Sequence, residues 1–218
     1  MYPRAFRAKF LDLFFYSDGR IFSALIQIGD CQLNLVNVYA PNTVAGRRTF
    51  FQNLHQYFLS PSRIVAGDFN CVDNSLDRLR VYNDSLPDKS TFRRFLSDCS
   101  LIEIWRKQHP RGNSFTWTNA NFSQASPLDR VLVSRSLESC MDCPTNFPCT
   151  FLDHDFVNLN FSSVNCRGAC SGVWKFNSSL LNDSNFTREL SQLISDQKQC
   201  ILTKGGKSKI VHLLFVIT

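Results

Sequence analysis

Short apolar runs, each closed by a polar or turn residue, constrain this chain more than any other feature. Ile21 to Ile28 is apolar-rich and is followed by Gly29-Asp30, a hairpin-type turn signal. Cys31 to Tyr39 comes next. Its first half alternates, with Cys31, Leu33 and Leu35 on one face and Gln32 and Asn34 on the other, and its second half is apolar on both faces, as in a buried strand. Ala40-Pro41-Asn42 ends that ladder, because proline cannot donate to it. Arg63 to Asn70 reads as a short buried strand stopping at a Gly-Asp turn, and Leu128 to Val133 and Phe156 to Phe161 read as later strands. Ser114 to Thr118 is also rich in strand formers.

Helical spacing appears between these runs. Phe50, Phe51, Leu54, Tyr57 and Phe58 recur at helical intervals within Arg47 to Leu59. Thr91 is a good N-cap for a helix carrying Phe92, Phe95 and Leu96. Strands alternating with helices predict an α/β (α+β) domain whose sheets are covered by helices. The character changes after Ser162, so a boundary is placed near Ser163. Residues 1–163 are expected to form the domain, 164–203 a linker, and 204–218 an unpatterned tail. Within the linker, Trp174 to Asp196 reads as a loop and an amphipathic helix with Phe186, Leu190, Leu193 and Ile194 on one face.

Composition narrows the class of partner. The chain has 218 residues, 44% hydrophobic and 19% charged, which is a folding composition. No apolar run approaches the ~20 residues of a membrane-spanning helix, and no secretory signal is visible. Membrane partners are therefore not expected, and the nucleus or cytoplasm is. Net charge is +6, and 16 of the 24 basic residues are Arg, whose flat fork of donors fits phosphate. Nine cysteines, an odd number, fit reduced thiols better than a disulfide framework. Cys140-x-x-Cys143 and Cys166-x-x-x-Cys170 lack the spacing of paired zinc knuckles.

The chemistry-bearing residues share one placement, at or near strand ends. Tyr39 and Asn42, then Asp68 and Asn70, then Thr116, Asp129 and Asp153-His154 are all so placed. Strand ends in a layered protein converge at one rim, where sites form. Asp68 and Asp153 suit Mg²⁺, which prefers oxygen ligands. Asn70 is an amide donor for developing charge. His154 can donate to a phosphate oxygen, and a carboxylate such as Asp129 can hold its tautomer. Together these residues suit attack of water on a phosphorus centre.

Four motifs in order, Asn37-Val-Tyr39-Ala-Pro-Asn42, Val65-Ala-Gly-Asp68-Phe-Asn70, Leu128-Asp129-Arg-Val-Leu-Val-Ser134 and Asp153-His154, resemble the endonuclease/exonuclease/phosphatase superfamily. Phe69-Asn70-Cys71-Val72, Leu76-Asp77-Arg78, Leu101-Ile102-Glu103-Ile104-Trp105-Arg106, His109-Pro110 and Ser114-Phe115-Thr116-Trp117 extend the resemblance to the endonuclease domain of non-LTR retrotransposons. Trp174-Lys-Phe-Asn177 and Leu180-Leu181-Asn182-Asp183 resemble the segment that such polyproteins place before their reverse transcriptase.

The resemblance implies a two-sheet, exonuclease III-like β-sandwich flanked by helices, acting on DNA. It implies that Asp68 positions or activates the attacking water, that Asn70 contacts the scissile phosphate, and that His154 neutralises a phosphate oxygen with Asp129 orienting it. Tyr39 lies near the phosphate or leaving group. Asn42 and Thr116 give supporting contacts, Trp117 flanks the nucleotide, and Asp153 stands beside Mg²⁺ (or Mn²⁺) together with Asp68.

Three departures from the family pattern are visible. The family's early strand-end Asn and its metal-binding Glu have no match ahead of Tyr39; the first Glu of this sequence is Glu103. Leu152 stands where a Ser usually precedes Asp-His, and Pro127 where an Arg precedes Leu-Asp. These departures imply an N-terminally incomplete domain, weak metal binding, poor or no nicking, and a missing reverse transcriptase. The rival readings are a catalytically dead DNA-binding remnant and an abasic-site nuclease or phosphatase of the same superfamily.

Overall fold

A computed structural model of the chain describes residues 8–16, 19–28, 30–79, 88–149, 153–161 and 213–217. The expected linker, 164–203, lies outside the described residues, as do Gly29 and Leu152.

The strands are β1 (Ala8–Phe15), β2 (Ile21–Ile28), β3 (Cys31–Tyr39), β4 (Arg63–Asp68), β5 (Leu101–Glu103), β6 (Trp117–Thr118), β7 (Ala125–Ser126), β8 (Asp129–Ser134), β9 (Thr145–Phe147), β10 (Phe156–Phe161) and β11 (Leu213–Ile217). The helices are α1 (Val44–Asn53), α2 (Lys89–Asp98) and α3 (Ile104–Gln108), with a 3₁₀ turn, Leu54–Tyr57, extending α1. Six strands form one sheet in the order β1-β2-β3-β4-β8-β5. A second sheet runs β11-β10-β9, and β6-β7 is a short hairpin.

The expected β2-β3 hairpin is present, with Ile28 paired to Cys31. β3 and β4 are parallel. Parallel neighbours need a crossover, and α1 supplies it. Thr43 begins α1 by accepting from the Gly46 N–H at 3.2 Å. The helix thus starts ahead of the expected Arg47.

Two cores form on the two faces of the large sheet. On one face Val36, Val38, Val65 and Leu132 meet Phe51 of α1 and Phe92 and Phe95 of α2. On the other, Ile26, Leu33, Ile64, Ala66, Val131 and Val133 meet Val157, Leu159 and Phe161 of β10. The period-2 alternation of strands β4 and β8 divides their side chains between the two cores. The result is the expected sandwich, two sheets with helices on the outer side of the larger one.

Three sequence expectations differ from what is found. Asn34, expected on a polar face, is fully buried. It is satisfied there, donating to Ser23 Oγ at 2.8 Å and accepting from the Leu59 N–H at 3.0 Å. Thr91 lies inside the first turn of α2 and does not cap it; Asp88 precedes the helix, and its carboxylate is taken by Arg47 instead of a helix N–H. Leu213–Ile217, in the stretch expected to be an unpatterned tail, is a strand parallel to β10. No helix among the described residues is long and apolar enough to cross a membrane.

β1 sits at the edge of the large sheet. Leu11, Leu13 and Phe15, at period-2 spacing, are exposed there.

Candidate active site

The register of the large sheet sets the first row of the site. Tyr39 at the end of β3 is paired with Asp68 at the end of β4, and Asp68 is paired with Asp129 at the start of β8. Directly paired residues share a face, so Tyr39, Asp68 and Asp129 form a line across three adjacent strands. That face is the one turned toward β10, since Ala66 and Val131, two residues along, belong to the core shared with β10.

Local backbone chemistry locks the turn after β4. Gly67 adopts φ +137°, and a Cβ there would lie 2.1 Å from the Val38 carbonyl oxygen, so only glycine fits. Asn70 follows in the left-handed region at φ 48°, which Asn tolerates best among residues with a side chain. Its N–H donates to Asp68 Oδ1 at 2.8 Å. Its side-chain amide donates to the Ala40 carbonyl at 2.8 Å and to Asn42 Oδ1 at 3.2 Å. Asn42 Oδ1 also accepts from the Tyr39 hydroxyl at 3.4 Å. Asp68, Asn70, Asn42 and Tyr39 are therefore one connected group.

The second half of the site is built on Thr116 and Trp117. Thr116 Oγ1 accepts from the Asp129 N–H at 2.9 Å. The Thr116 carbonyl accepts from the Asp155 N–H at 2.7 Å, and the Thr118 N–H donates to the Asp153 carbonyl at 3.1 Å. Trp117 bridges His154 through the backbone, and its indole N–H donates to Asp153 Oδ2 at 3.2 Å. These bonds bring Asp153-His154 against β8. His154 Nδ1 lies 2.7 Å from Asp129 Oδ2, with both side chains largely buried. This contact fixes the orientation of the ring. All nine residues singled out in the sequence thus belong to two hydrogen-bonded groups, joined by the Asp68–Asp129 strand pairing.

Sequence reasoning missed the charged supports beneath this site. Arg47 is buried against Asp88 at 2.6 Å, and it donates to the Asn42 carbonyl at 2.8 Å and the Pro41 carbonyl at 3.2 Å. It pins the turn that carries Asn42. Arg130, next to Asp129, is buried among Glu103 at 2.5 Å, Asp77 at 3.2 Å and Asp73 at 3.5 Å, and it also donates to the Cys71 carbonyl at 3.4 Å. Arg106 pairs with the other oxygen of Asp77. Burial works against the charge of Arg130, but Glu103, Cys71, Asp77 and Asp73 together outweigh it and hold the guanidinium more firmly protonated than usual. The signal was present in the sequence as Leu76-Asp77-Arg78, Glu103-Ile104-Trp105-Arg106 and Asp129-Arg130. What could not be read was which of those charges meet.

Among the described residues, no group of three or more His, Cys, Asp and Glu side chains is placed to hold a metal ion. The carboxylates of Asp68 and Asp153 alone do not make a protein cage for Mg²⁺.

A β-hairpin flanks the site. Between β6 and β7, Asn119 accepts from the Gln124 N–H at 2.9 Å and donates to Ser123 Oγ at 3.0 Å, closing a tight loop. At its tip Phe122 is 77% exposed in left-handed backbone, the most exposed large apolar side chain among the described residues.

The model of the Endonuclease/Exonuclease/phosphatase family matches residues 9–154, from β1 through His154. The chain belongs to that family. It is 29% identical over 196 residues to the Transposon TX1 uncharacterized 149 kDa protein of Xenopus laevis, a match covering 87% of this chain and 15% of that protein. The chain therefore spans only a small part of that relative's length. The fold is similar to an AP endonuclease from Archaeoglobus fulgidus, with TM-score 0.56, 15% identity and coverage of 67% of this chain and 69% of that one. AP endonuclease LMAP from Leishmania major gives 0.53, 18% identity and coverage of 63% and 53%. The endonuclease domain of TRAS1, a telomere-specific non-LTR retrotransposon, gives 0.50, 13% identity and coverage of 66% and 64%. At such identities these three likenesses describe the fold.

Proposed function

We propose that this chain carries a phosphodiester-hydrolysing site of the retrotransposon endonuclease kind, which nicks DNA. The observation that carries the reading is the joining of Asp68-Asn70 to the Asp129–His154 pair across adjacent strands, at one rim of a sandwich whose family is established. Phosphodiester hydrolysis has a very high barrier, and electrostatic stabilisation of the phosphate supplies most of the acceleration. Asp68, held by the Asn70 N–H, orients and activates the attacking water. Asn70 and Asn42 contact the phosphate. His154, oriented by Asp129, donates Nε2–H to a phosphate oxygen while Nδ1–H stays on the carboxylate, as both ring nitrogens can in the charged imidazolium. Tyr39 stands beside the leaving group, and Trp117 with Thr116 frames the nucleotide.

A divalent metal, Mg²⁺ or Mn²⁺, would be approached by Asp68 and Asp153. With those two carboxylates alone it binds weakly, and nicking by the 218-residue chain is slow. In the full protein this domain works beside a reverse transcriptase, and residues 164–203 lead toward it. The Arg-rich composition supports salt-sensitive DNA binding.

The test is relaxation of supercoiled plasmid by the chain and by its Asp68→Ala and His154→Ala variants. The reading expects slow nicking that both substitutions abolish. DNA binding with no nicking by any of the three would favour the rival, a DNA-binding remnant.

A further inference from the structure

Beside the Asp129–His154 pair lies a small pocket of about 20 Å³, lined by Glu103, Ser114, Thr116, Asp129, Asn146 and Val157 among others. We infer that it is a binding site for one structural water, which holds the Asp129 carboxylate in the orientation that His154 requires. The inference rests on geometry and hydrogen-bond accounting, and it stands whether or not the chain cuts DNA.

Size comes first. A cavity needs roughly 10–15 Å³ of space for the centre of a water-sized probe to hold one water. This one exceeds that and has no room for a larger ligand. Much of its wall is apolar, but the polar partners that a water needs stand in it, with Ser114, Thr116, Asp129 and Asn146 among the lining residues.

The hydrogen-bond accounting then calls for a donor. Asp129 Oδ2 is committed to His154 Nδ1 at 2.7 Å, but Oδ1 of the same carboxylate is buried with no hydrogen-bond partner. The side chain is only 1% exposed, so bulk water does not reach it. An ionised carboxylate accepts only, and an oxygen left buried and unsatisfied forfeits its hydration with nothing in return.

Two other lining groups have the opposite surplus. Thr116 Oγ1 already accepts from the Asp129 N–H at 2.9 Å, and Ser114 Oγ accepts from Asn146 Nδ2 at 2.8 Å. Each hydroxyl therefore keeps its own hydrogen to donate. A water accepts from such hydroxyls and donates to a carboxylate oxygen, so it matches both surpluses at once.

The functional consequence follows from rotation about the Cβ–Cγ bond. A carboxylate held at Oδ2 alone can turn toward other partners, whereas one held at both oxygens keeps its plane. The water thus acts as a positioning group for the histidine and touches no reacting atom.

A crystal structure of the full chain at about 1.5 Å resolution provides the first test. The expected result is one peak in the cavity, about 2.6–3.2 Å from Asp129 Oδ1 and from the hydroxyl of Thr116 or Ser114. A dry cavity overturns the proposal. The second test is Val157→Ile, which adds one methylene to the cavity wall and displaces the water without touching any polar group. The readout is the downfield proton resonance of the His154 Nδ1–H, followed by NMR in folded wild-type and variant protein. Loss or broadening of that resonance in the variant is expected, and Ser114→Ala should give a smaller change of the same kind. A variant that folds, excludes the water and leaves the resonance unchanged overturns the positioning role. If Val157→Ile fails to fold, Ser114→Ala decides by the same readout.

Discussion

His154 Nδ1 lies 2.7 Å from Asp129 Oδ2, and Asp129 is itself the strand partner of Asp68. Asp68 and Asp129 are thereby fixed to one another through the backbone ladder, and His154 joins them through a side-chain hydrogen bond. The Asp129→Asn variant should fold normally, because the amide is nearly isosteric and the backbone bond to Thr116 survives. It should lose about 10²-fold or more of any nicking activity, the scale on which a mis-set acid–base group costs. Plasmid relaxation rates beside a circular dichroism spectrum check this.

Arg130 gives a stability prediction that is independent of catalysis. Its side chain is 1% exposed and meets Glu103, Asp77 and Asp73. Arg130→Met would leave three carboxylates around an apolar side chain. Removing one partner of a buried ion pair typically costs about 3–5 kcal/mol, and urea unfolding of the variant should show a loss of that order. A loss below about 1 kcal/mol, the scale of surface pairs, would mean that the cluster is solvated.

Gly67→Ala tests the turn that aims Asp68. The new Cβ meets the Val38 carbonyl oxygen at 2.1 Å, in backbone at φ +137°. Strained backbone alone costs roughly 1–3 kcal/mol, and the clash with β3 adds to it. The variant should express poorly or unfold at markedly lower urea, as measured by its denaturation midpoint.

The strands and the row of candidate residues were legible from short-range signals, and the two-sheet arrangement from the four motifs that resemble the family. Short apolar runs located β2, β3, β4, β8 and β10, and the turn chemistry of Gly67-Asp68-Phe69-Asn70 put the candidate residues at a strand end. Other elements carried no such signal. β1 reads as nearly continuous apolar sequence without a turn ahead of it, and β9 is only three residues long. The start of α2 was misjudged because Asp88, which looks like part of a polar loop, is used by Arg47 from 41 positions away. The charge cluster was invisible for the same reason. Sequence shows that Asp77, Glu103, Arg106 and Arg130 exist, but a buried ion network is a property of tertiary contacts.

Cys71 offers a pH prediction. Burial, opposed only in part by the nearby Arg130, pushes its thiol from 9.0 up to about 12. The folded chain therefore keeps the proton where the unfolded chain releases it. The sign follows from linkage. The contribution is fully present below about 9, and stability falls as pH rises from there toward 12. Cys71→Ala should cost some packing at every pH, but its stability should decline less steeply between pH 9 and pH 11. Urea unfolding at stepped pH measures the two slopes, and equal slopes would place the thiol in solvent.

The central claim is that Asp68 and the Asp129–His154 pair form one phosphodiester-cleaving site, and nicking of supercoiled plasmid by the 218-residue chain in Mg²⁺ tests it most directly. The account predicts slow conversion to open circles by the wild-type chain, reduced at least about 10²-fold in His154→Ala and in Asp68→Ala, with both variants folded and still binding DNA. Nicking at the same rate in all three proteins, or none by a folded wild-type chain under conditions where it binds the plasmid, would contradict it.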